Sequence, residues 1–205
     1  MARFAQAAVA GGASAIRANG PDDIRKIREA VSVPIVGIWK QRQEDESLLI
    51  TPSFEAAQQL VAAGADIIAL DATCRGQRYG ALSRLQRIRR ELDVPVFADI
   101  ATVEEAVAAT DAGATFVLST MRGYTEDTLH ICSFDLSFIR DLVSRSPVPV
   151  IAEGRIETPE QAKAALEAGA YAVVVGSAIT RPVTIARRFA DAIAAATAGP
   201  EGNLA

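Results

Sequence analysis

An internal repeat of about 50 residues constrains the fold of this chain more than any other feature of its sequence. One repeated segment is a Gly-Ala pair followed by an apolar run, and its copies begin at Gly12, Gly64, Gly113 and Gly169. A second segment, a Val-Pro pair followed by apolar residues, alternates with the first, and its copies begin at Val33, Val94 and Val148. Together these segments predict seven short β-strands.

The stretches between the apolar runs predict helices. The runs themselves are short, unalternating and rich in β-branched residues, which is typical of strands buried on both faces. Between them, Thr102 with Glu105, and Thr158 with Gln161, fit the capping box that begins a helix. Strands that alternate with helices indicate a parallel sheet with right-handed crossovers.

The phase of the repeat favours a TIM-type (β/α)8 barrel, because two strands and two helices make a quarter of such a barrel. Four Gly-Ala strands and three Val-Pro strands leave one strand unaccounted for, and its phase places it before Met1. We therefore expect a barrel without its first strand, with residues 2–11 as the helix that follows this strand. Residues 1–197 would form one barrel domain and 198–205 a flexible tail. The alternative is an open doubly wound sheet.

Composition excludes several classes of protein. The 21 Lys and Arg residues do not outnumber the 25 Asp and Glu residues, so we expect no nucleic-acid partner. No apolar run approaches the ~18 residues of a membrane span. The N-terminus lacks the features of a signal peptide, and two cysteines make no disulfide framework, so we expect a cytoplasmic protein. His130 is the only histidine, which excludes a His-rich metal site.

Polar and charged residues stand at the ends of the predicted strands, where barrel enzymes place their chemistry. In chain order they are Arg17, Asn19, Lys40, Asp71, Thr73, Asp99, Ser119, Thr120, Glu153, Gly176 and Ser177. Three carboxylates, Asp71, Asp99 and Glu153, would make only a weak metal site without histidine, so we expect no metal. The convergence of ionisable groups on one end of the barrel predicts an active site.

Lys40 and Glu153 are the candidate catalytic residues. Lys40 is one of only three lysines and directly follows a strand, where a lysine can act as a general base or as a Schiff-base nucleophile. Glu153 ends another strand and can serve as the acid opposite that base. Asp99 could orient Lys40 or hold a substrate hydroxyl.

The segments after the last two strands predict a phosphate site. Gly154 and Arg155 follow one strand, and Gly176 and Ser177 follow the next. Barrels hold phosphate at these positions on backbone N–H groups. The guanidinium group of Arg181 can donate two parallel hydrogen bonds to the phosphate.

Several ordered motifs lie at residues 15–20, 37–40, 50–52, 67–73, 98–100, 123–125, 152–156 and 175–182, and they include Gly-Ile-Trp-Lys, Ala-Leu-Asp-Ala-Thr and Ala-Ile-Thr-Arg-Pro. These motifs resemble those of the N-acetylmannosamine-6-phosphate 2-epimerase family, also called N-acylglucosamine-6-phosphate 2-epimerases. The resemblance implies a (β/α)8 barrel in amino-sugar and sialic-acid catabolism. It implies interconversion of N-acetylmannosamine 6-phosphate and N-acetylglucosamine 6-phosphate without an organic cofactor.

The resemblance also implies roles for individual residues. Lys40 and Glu153 match the family's catalytic residues, and Arg17, Asp99 and Arg181 match residues that contact the substrate. The chain departs from the family pattern at Ser177, usually Gly, and at Arg122, usually a small polar residue. The family's first strand, which carries a substrate-contacting Gln, has no counterpart here.

Two other functions and one partner remain open at this point. A Schiff-base aldolase would use Lys40 covalently on a sugar phosphate. An inactive barrel that only binds a phosphorylated sugar would follow if the missing strand spoils the catalytic geometry. A homodimer partner could cover the gap that the missing strand leaves.

Overall fold

The protein, described here by a computed structural model over residues 1–197, contains a seven-stranded parallel sheet and a separate two-stranded hairpin. The strands are β1 (Ile16–Asn19), β2 (Ile35–Ile38), β3 (Lys40–Arg42), β4 (Leu48–Ile50), β5 (Ile67–Asp71), β6 (Val96–Asp99), β7 (Phe116–Leu118), β8 (Val150–Glu153) and β9 (Ala172–Val174). Each of the seven predicted strands is present in the parallel sheet. The antiparallel hairpin of β3 and β4 was not predicted.

Helices follow the strands of the parallel sheet. They are α1 (Ala2–Ala10), α2 (Pro21–Arg28), α3 (Phe54–Ala62), α4 (Cys74–Arg78), α5 (Ala81–Leu92), α6 (Val103–Asp111), α7 (Leu136–Arg145), α8 (Pro159–Glu167), α9 (Ser177–Thr180) and α10 (Pro182–Thr197). Short 3₁₀ turns occupy Ser119–Met121 and Glu126–Thr128. The predicted tail, 198–205, lies outside the described residues.

The parallel strands lie side by side in chain order, β1-β2-β5-β6-β7-β8-β9. A doubly wound sheet would reverse its strand order at a switch point, so that alternative is wrong. The sheet is a nearly closed TIM-type barrel of seven strands. Within residues 1–197, β1 and β9 are the outer strands and do not pair with each other.

Local sequence signals set the helix boundaries. The side chain of Thr102 accepts a hydrogen bond from the backbone N–H of Glu105, and the Glu105 side chain accepts one from the backbone N–H of Thr102, so the predicted capping box of α6 is confirmed. The box of Thr158 and Gln161 at α8 is confirmed in the same way. Gly113 follows α6 with φ 98°, a conformation that side chains with a Cβ rarely adopt.

Two apolar layers explain why the strands are hydrophobic on both faces. Val36, Phe97 and Leu118 belong to a buried cluster inside the barrel. Alternate strand residues, such as Ile68 and Leu70, pack outward against the helices. Because side chains alternate along a strand, the last inward-facing position of each strand opens at the carboxyl-terminal end of the barrel, called the barrel mouth here.

Large apolar side chains are exposed on elements next to the two outer strands, β1 and β9. Phe4 on α1 is 43% exposed, and Tyr171 and Phe189 are more exposed still, at 68% and 69%. Among residues 1–197, no helix combines the length and the apolar character that crossing a membrane requires.

Candidate active site

Strand alternation places two carboxyl groups at the barrel mouth. On β6, Phe97 belongs to the inner cluster, and Asp99 lies two residues later on the same face. On β8, Ile151 and Glu153 stand in the same relation. The strand ends therefore direct both side chains inward, as the sequence predicted for Asp99 and Glu153.

The guanidinium of Arg17, on β1, joins these two carboxyl groups. Its Nη1 and Nη2 donate to Oδ1 and Oδ2 of Asp99 at 2.9 and 2.7 Å, which is a bidentate arrangement. Its Nη1 also donates to Oε2 of Glu153 at 2.8 Å. The three side chains are only 8%, 0% and 17% exposed, in the order Arg17, Asp99, Glu153. One buried positive charge thus faces two carboxyl groups.

Burial and charge act in opposite directions on this cluster. Burial raises the pKa of Glu153; the positive charges of Arg17 and Lys40 oppose the increase, and the negative charge of Asp99 adds to it. Burial alone would lower the pKa of Arg17, but the two carboxyl groups hold that pKa above its usual value. Glu153 is therefore the carboxyl suited to carry a proton closer to neutral pH, as a general acid must.

Lys40 lies at the rim of the mouth, where β2 passes into the hairpin. The backbone N–H of Lys40 donates to Oδ1 of Asn19 at 2.8 Å, which ties it to the end of β1. The buried hydroxyl of Thr51 accepts from the Trp39 N–H at 3.1 Å and donates to the Ala69 carbonyl at 2.7 Å. These hydrogen bonds hold the backbone of Lys40 to the end of β1 and, through Thr51, the backbone of Trp39 to β5.

The side chain of Lys40 is available to a substrate. The residue is exposed, and its ammonium is hydrogen-bonded to no residue in the range 1–197. Lys40 follows β2 and Glu153 ends β8, so both candidate catalytic residues lie at the barrel mouth.

Two hydroxyl residues after β7 complete the cluster. Ser119 Oγ donates to the Glu153 carbonyl at 2.8 Å and accepts from the Glu153 N–H at 3.0 Å. Thr120 Oγ1 donates to Oδ1 of Asp99 at 2.6 Å. The sequence marked both residues as strand-end positions without giving them a role.

The predicted phosphate residues occupy two neighbouring segments at this end of the barrel. Gly154, with φ 98°, and Arg155 leave β8 directly after Glu153. Gly176 and Ser177 follow β9 and are exposed at the start of α9, and Arg181 is exposed just before α10. Their phosphate role stays a prediction.

Arg155 already has protein partners. Its guanidinium donates to the carbonyls of Gly123 at 3.0 Å and of Cys132 at 3.3 Å, and it lies 4.5 Å from the ring centroid of Tyr124. Its Nε is buried without a hydrogen-bond partner. Arg155 thus holds the loop that follows β7.

Asp71 pairs in register with Asp99 across β5 and β6, but its side chain bonds to other partners. Thr73 Oγ1 donates to its Oδ1 at 2.5 Å, and Arg75 Nη2 donates to its Oδ2 at 3.2 Å. In the range 1–197, no group of three or more His, Cys, Asp and Glu side chains is placed to hold a metal ion.

Comparison with known proteins places this architecture in one family. Residues 1–195 match the family model described as "Putative N-acetylmannosamine-6-phosphate epimerase". A protein of Caldanaerobacter subterraneus subsp. tengcongensis named "Putative N-acetylmannosamine-6-phosphate 2-epimerase" is 47% identical over 193 residues, covering 92% of this chain and 81% of its own. A protein of Cutibacterium acnes with the same name is 46% identical over 198 residues, covering 94% and 85%.

A solved structure supports the same family assignment. The N-acetylmannosamine-6-phosphate 2-epimerase from Clostridium perfringens superposes with a TM-score of 0.86 at 40% sequence identity, covering 93% of this chain and 84% of that one. The chain belongs to the N-acetylmannosamine-6-phosphate epimerase family.

Proposed function

We propose that this protein interconverts N-acetylmannosamine 6-phosphate and N-acetylglucosamine 6-phosphate by removing and returning the proton at C2. Family membership supports the substrate. The observation that carries the chemistry is the arrangement at the barrel mouth, where the largely buried carboxyl group of Glu153 ends β8 and the exposed amine of Lys40 follows β2. An epimerase needs such a pair, because inversion requires one group on each face of the reacting carbon.

The proposed reaction begins with the open-chain sugar, whose C2 hydrogen is acidic because C1 is an aldehyde. Lys40, as the neutral amine, takes the C2 proton, and the C–H electron pair moves into an enolate that extends over C1 and C2. Glu153 then gives its proton to C2 from the opposite face, which inverts the centre and restores the aldehyde. In the reverse direction the two groups exchange roles, and solvent resets their protonation.

Arg17 and Asp99 would bind polar groups of the substrate near the reacting carbon. Their bidentate pair is buried, so its polar groups are already oriented before the substrate reacts. We propose that the phosphate lies against Gly154, Arg155, Gly176 and Ser177, with Arg181 supplying positive charge.

Turnover of N-acetylmannosamine 6-phosphate, followed by NMR, tests the proposal directly. Lys40→Met and Glu153→Gln should each lower kcat by about a hundredfold or more, since each removes a proton-transfer group. The matched control is Lys163→Met, because Lys163 is an exposed lysine that pairs only with Glu167 within the described chain. We expect full activity from that control.

Two results would contradict the proposal. Retention of most of the wild-type rate in Lys40→Met would remove Lys40 from the mechanism. Covalent trapping of Lys40 by borohydride in the presence of a keto-sugar phosphate would indicate Schiff-base chemistry instead, because proton transfer leaves no imine to reduce.

A further inference from the structure

The pairing of β7 with β8 ends before it reaches Glu153. Its last pair in register is Leu118 with Ile151. After Leu118 the chain turns into the 3₁₀ helix Ser119–Met121, whereas on the other side β9 stays in register with β8 as far as Glu153. The backbone N–H and C=O of Glu153 on the β7 side therefore need partners other than a strand, because unpaired backbone groups are costly away from water.

The hydroxyl of Ser119 supplies both partners. It donates to the Glu153 carbonyl at 2.8 Å and accepts from the Glu153 N–H at 3.0 Å. A serine hydroxyl has one proton and two lone pairs, so a single side chain can do both. Ser119 is only 2% exposed, so the two hydrogen bonds are shielded from water. One hydroxyl thus takes the place of the next strand residue of β7.

These hydrogen bonds act where the regular backbone of β8 ends. Gly154 and Arg155, the next two residues, have φ values of 98° and 57°, which do not continue a strand. The carboxyl group of Glu153 meanwhile has to reach Arg17, whose Nη1 lies 2.8 Å from its Oε2. Since the direction of a side chain follows from the orientation of its backbone, holding the N–H and C=O of Glu153 also sets the direction of its carboxyl group.

We propose that Ser119 is a positioning residue that holds the backbone of Glu153 so that its carboxyl group is directed at the reacting carbon. This role rests on the proposed function, in which Glu153 exchanges a proton with C2. A misplacement of about 1 Å can lower the rate of such a step by about a hundredfold. Ser119 acts only through Glu153, because its single hydroxyl proton is already donated to the Glu153 carbonyl.

Three variants separate positioning from general stability. Ser119→Ala removes the hydroxyl, and Ser119→Thr retains one. Ser146→Ala is the matched control, because the Ser146 hydroxyl makes the same pair of bonds to Val148, donating to its carbonyl at 2.7 Å and accepting from its N–H at 3.3 Å. Val148 precedes β8, so this second pair lies at the end of the strand opposite to the barrel mouth.

Amide hydrogen exchange, followed by NMR, tests the two hydrogen bonds without turnover. In Ser119→Ala, the Glu153 amide should exchange about tenfold faster or more, relative to the amide of Ile151 in the same strand. Ser119→Thr and Ser146→Ala should keep the wild-type ratio. An unchanged ratio in Ser119→Ala would overturn the proposal, because the Glu153 backbone would then be held by other contacts.

Kinetics test the consequence for catalysis. In Ser119→Ala, kcat should fall by about tenfold or more with a much smaller change in KM. Ser119→Thr should recover most of that loss, and Ser146→Ala should keep the wild-type kcat. Equal kcat values in Ser119→Ala and Ser146→Ala would overturn the positioning role. If the wild type does not epimerise the sugar, the proposed function fails, and the exchange of the Glu153 amide still decides whether Ser119 holds this backbone.

Discussion

Replacing Arg17 by Met should destabilise the protein in a way that depends on pH. Arg17 is the shared partner of Asp99 and Glu153, and both carboxyl groups are largely buried. Methionine has a similar reach and no charge, so the variant leaves two buried carboxyl groups facing each other without a cation. Buried charges that lose their partner are costly, whereas the original pair itself adds little stability.

The size of the effect follows from this burial. Removing one partner of a buried ion pair lowers the free energy of unfolding by about 3–5 kcal/mol. For a chain of this length, each kcal/mol lowers Tm by about 2–4 °C, so Tm should fall by roughly 6–20 °C near pH 8. The positive charge of Arg17 is the main influence that opposes the raised pKa of Glu153, so its removal raises that pKa further. The penalty is therefore present at high pH and is relieved as the pH falls and Glu153 takes up a proton.

Thermal unfolding by circular dichroism from pH 5 to pH 8 measures both quantities. The matched control is Arg145→Met, because Arg145 also pairs with two carboxylates, Glu104 and Asp141, but on the surface. An exposed pair contributes about 0–1 kcal/mol, so the control should unfold close to the wild type. The proposed electrostatics of the cluster are wrong if Arg17→Met has the same Tm as the control at pH 8, or if it loses more stability at pH 5 than at pH 8.

Two further changes test the phosphate site and the fold. Arg181→Ala should raise KM about tenfold to a hundredfold, because a charge-assisted hydrogen bond contributes roughly 1.5–3 kcal/mol; an unchanged KM would place the phosphate elsewhere. Glu105→Ala should lower Tm by about 5–12 °C, since the buried carboxylate accepts from the backbone N–H groups of Cys74, Ala101 and Thr102. Equal melting of this variant and the wild type would show that these N–H groups find other partners.

The fold was predictable because its signals are local and repeated. Each Gly-Ala or Val-Pro segment gave one strand, and the capping pairs of Thr102 and Thr158 marked helix starts. Because the repeated units are alike, each crossover should place its strand beside the preceding one, and this gives the chain-order arrangement of a barrel. The hairpin of β3 and β4 escaped prediction because its two short strands lie outside the repeated Gly-Ala and Val-Pro segments.

The sequence predicted which residues lie at the site better than it predicted the hydrogen bonds between them. Arg17, Asp99 and Glu153 stand at strand ends, and strand alternation placed them at one mouth. The sequence could not show that Arg17 binds both carboxyl groups, because these contacts join residues more than 80 positions apart. The sequence marked Thr120 only as a strand-end position, because its hydrogen bond to Asp99 joins two different strand ends.

Epimerisation of N-acetylmannosamine 6-phosphate in D₂O is the most direct measurement of the proposed chemistry. A base on one face and an acid on the other exchange their protons with solvent between turnovers, so the N-acetylglucosamine 6-phosphate formed should carry deuterium at C2 and at no other carbon. ¹H NMR would show this as the loss of the C2 proton signal in the product, with the Lys40→Met protein giving neither product nor label. Product that retains its full C2 proton, or deuterium at another carbon, would contradict proton exchange at C2 between Lys40 and Glu153.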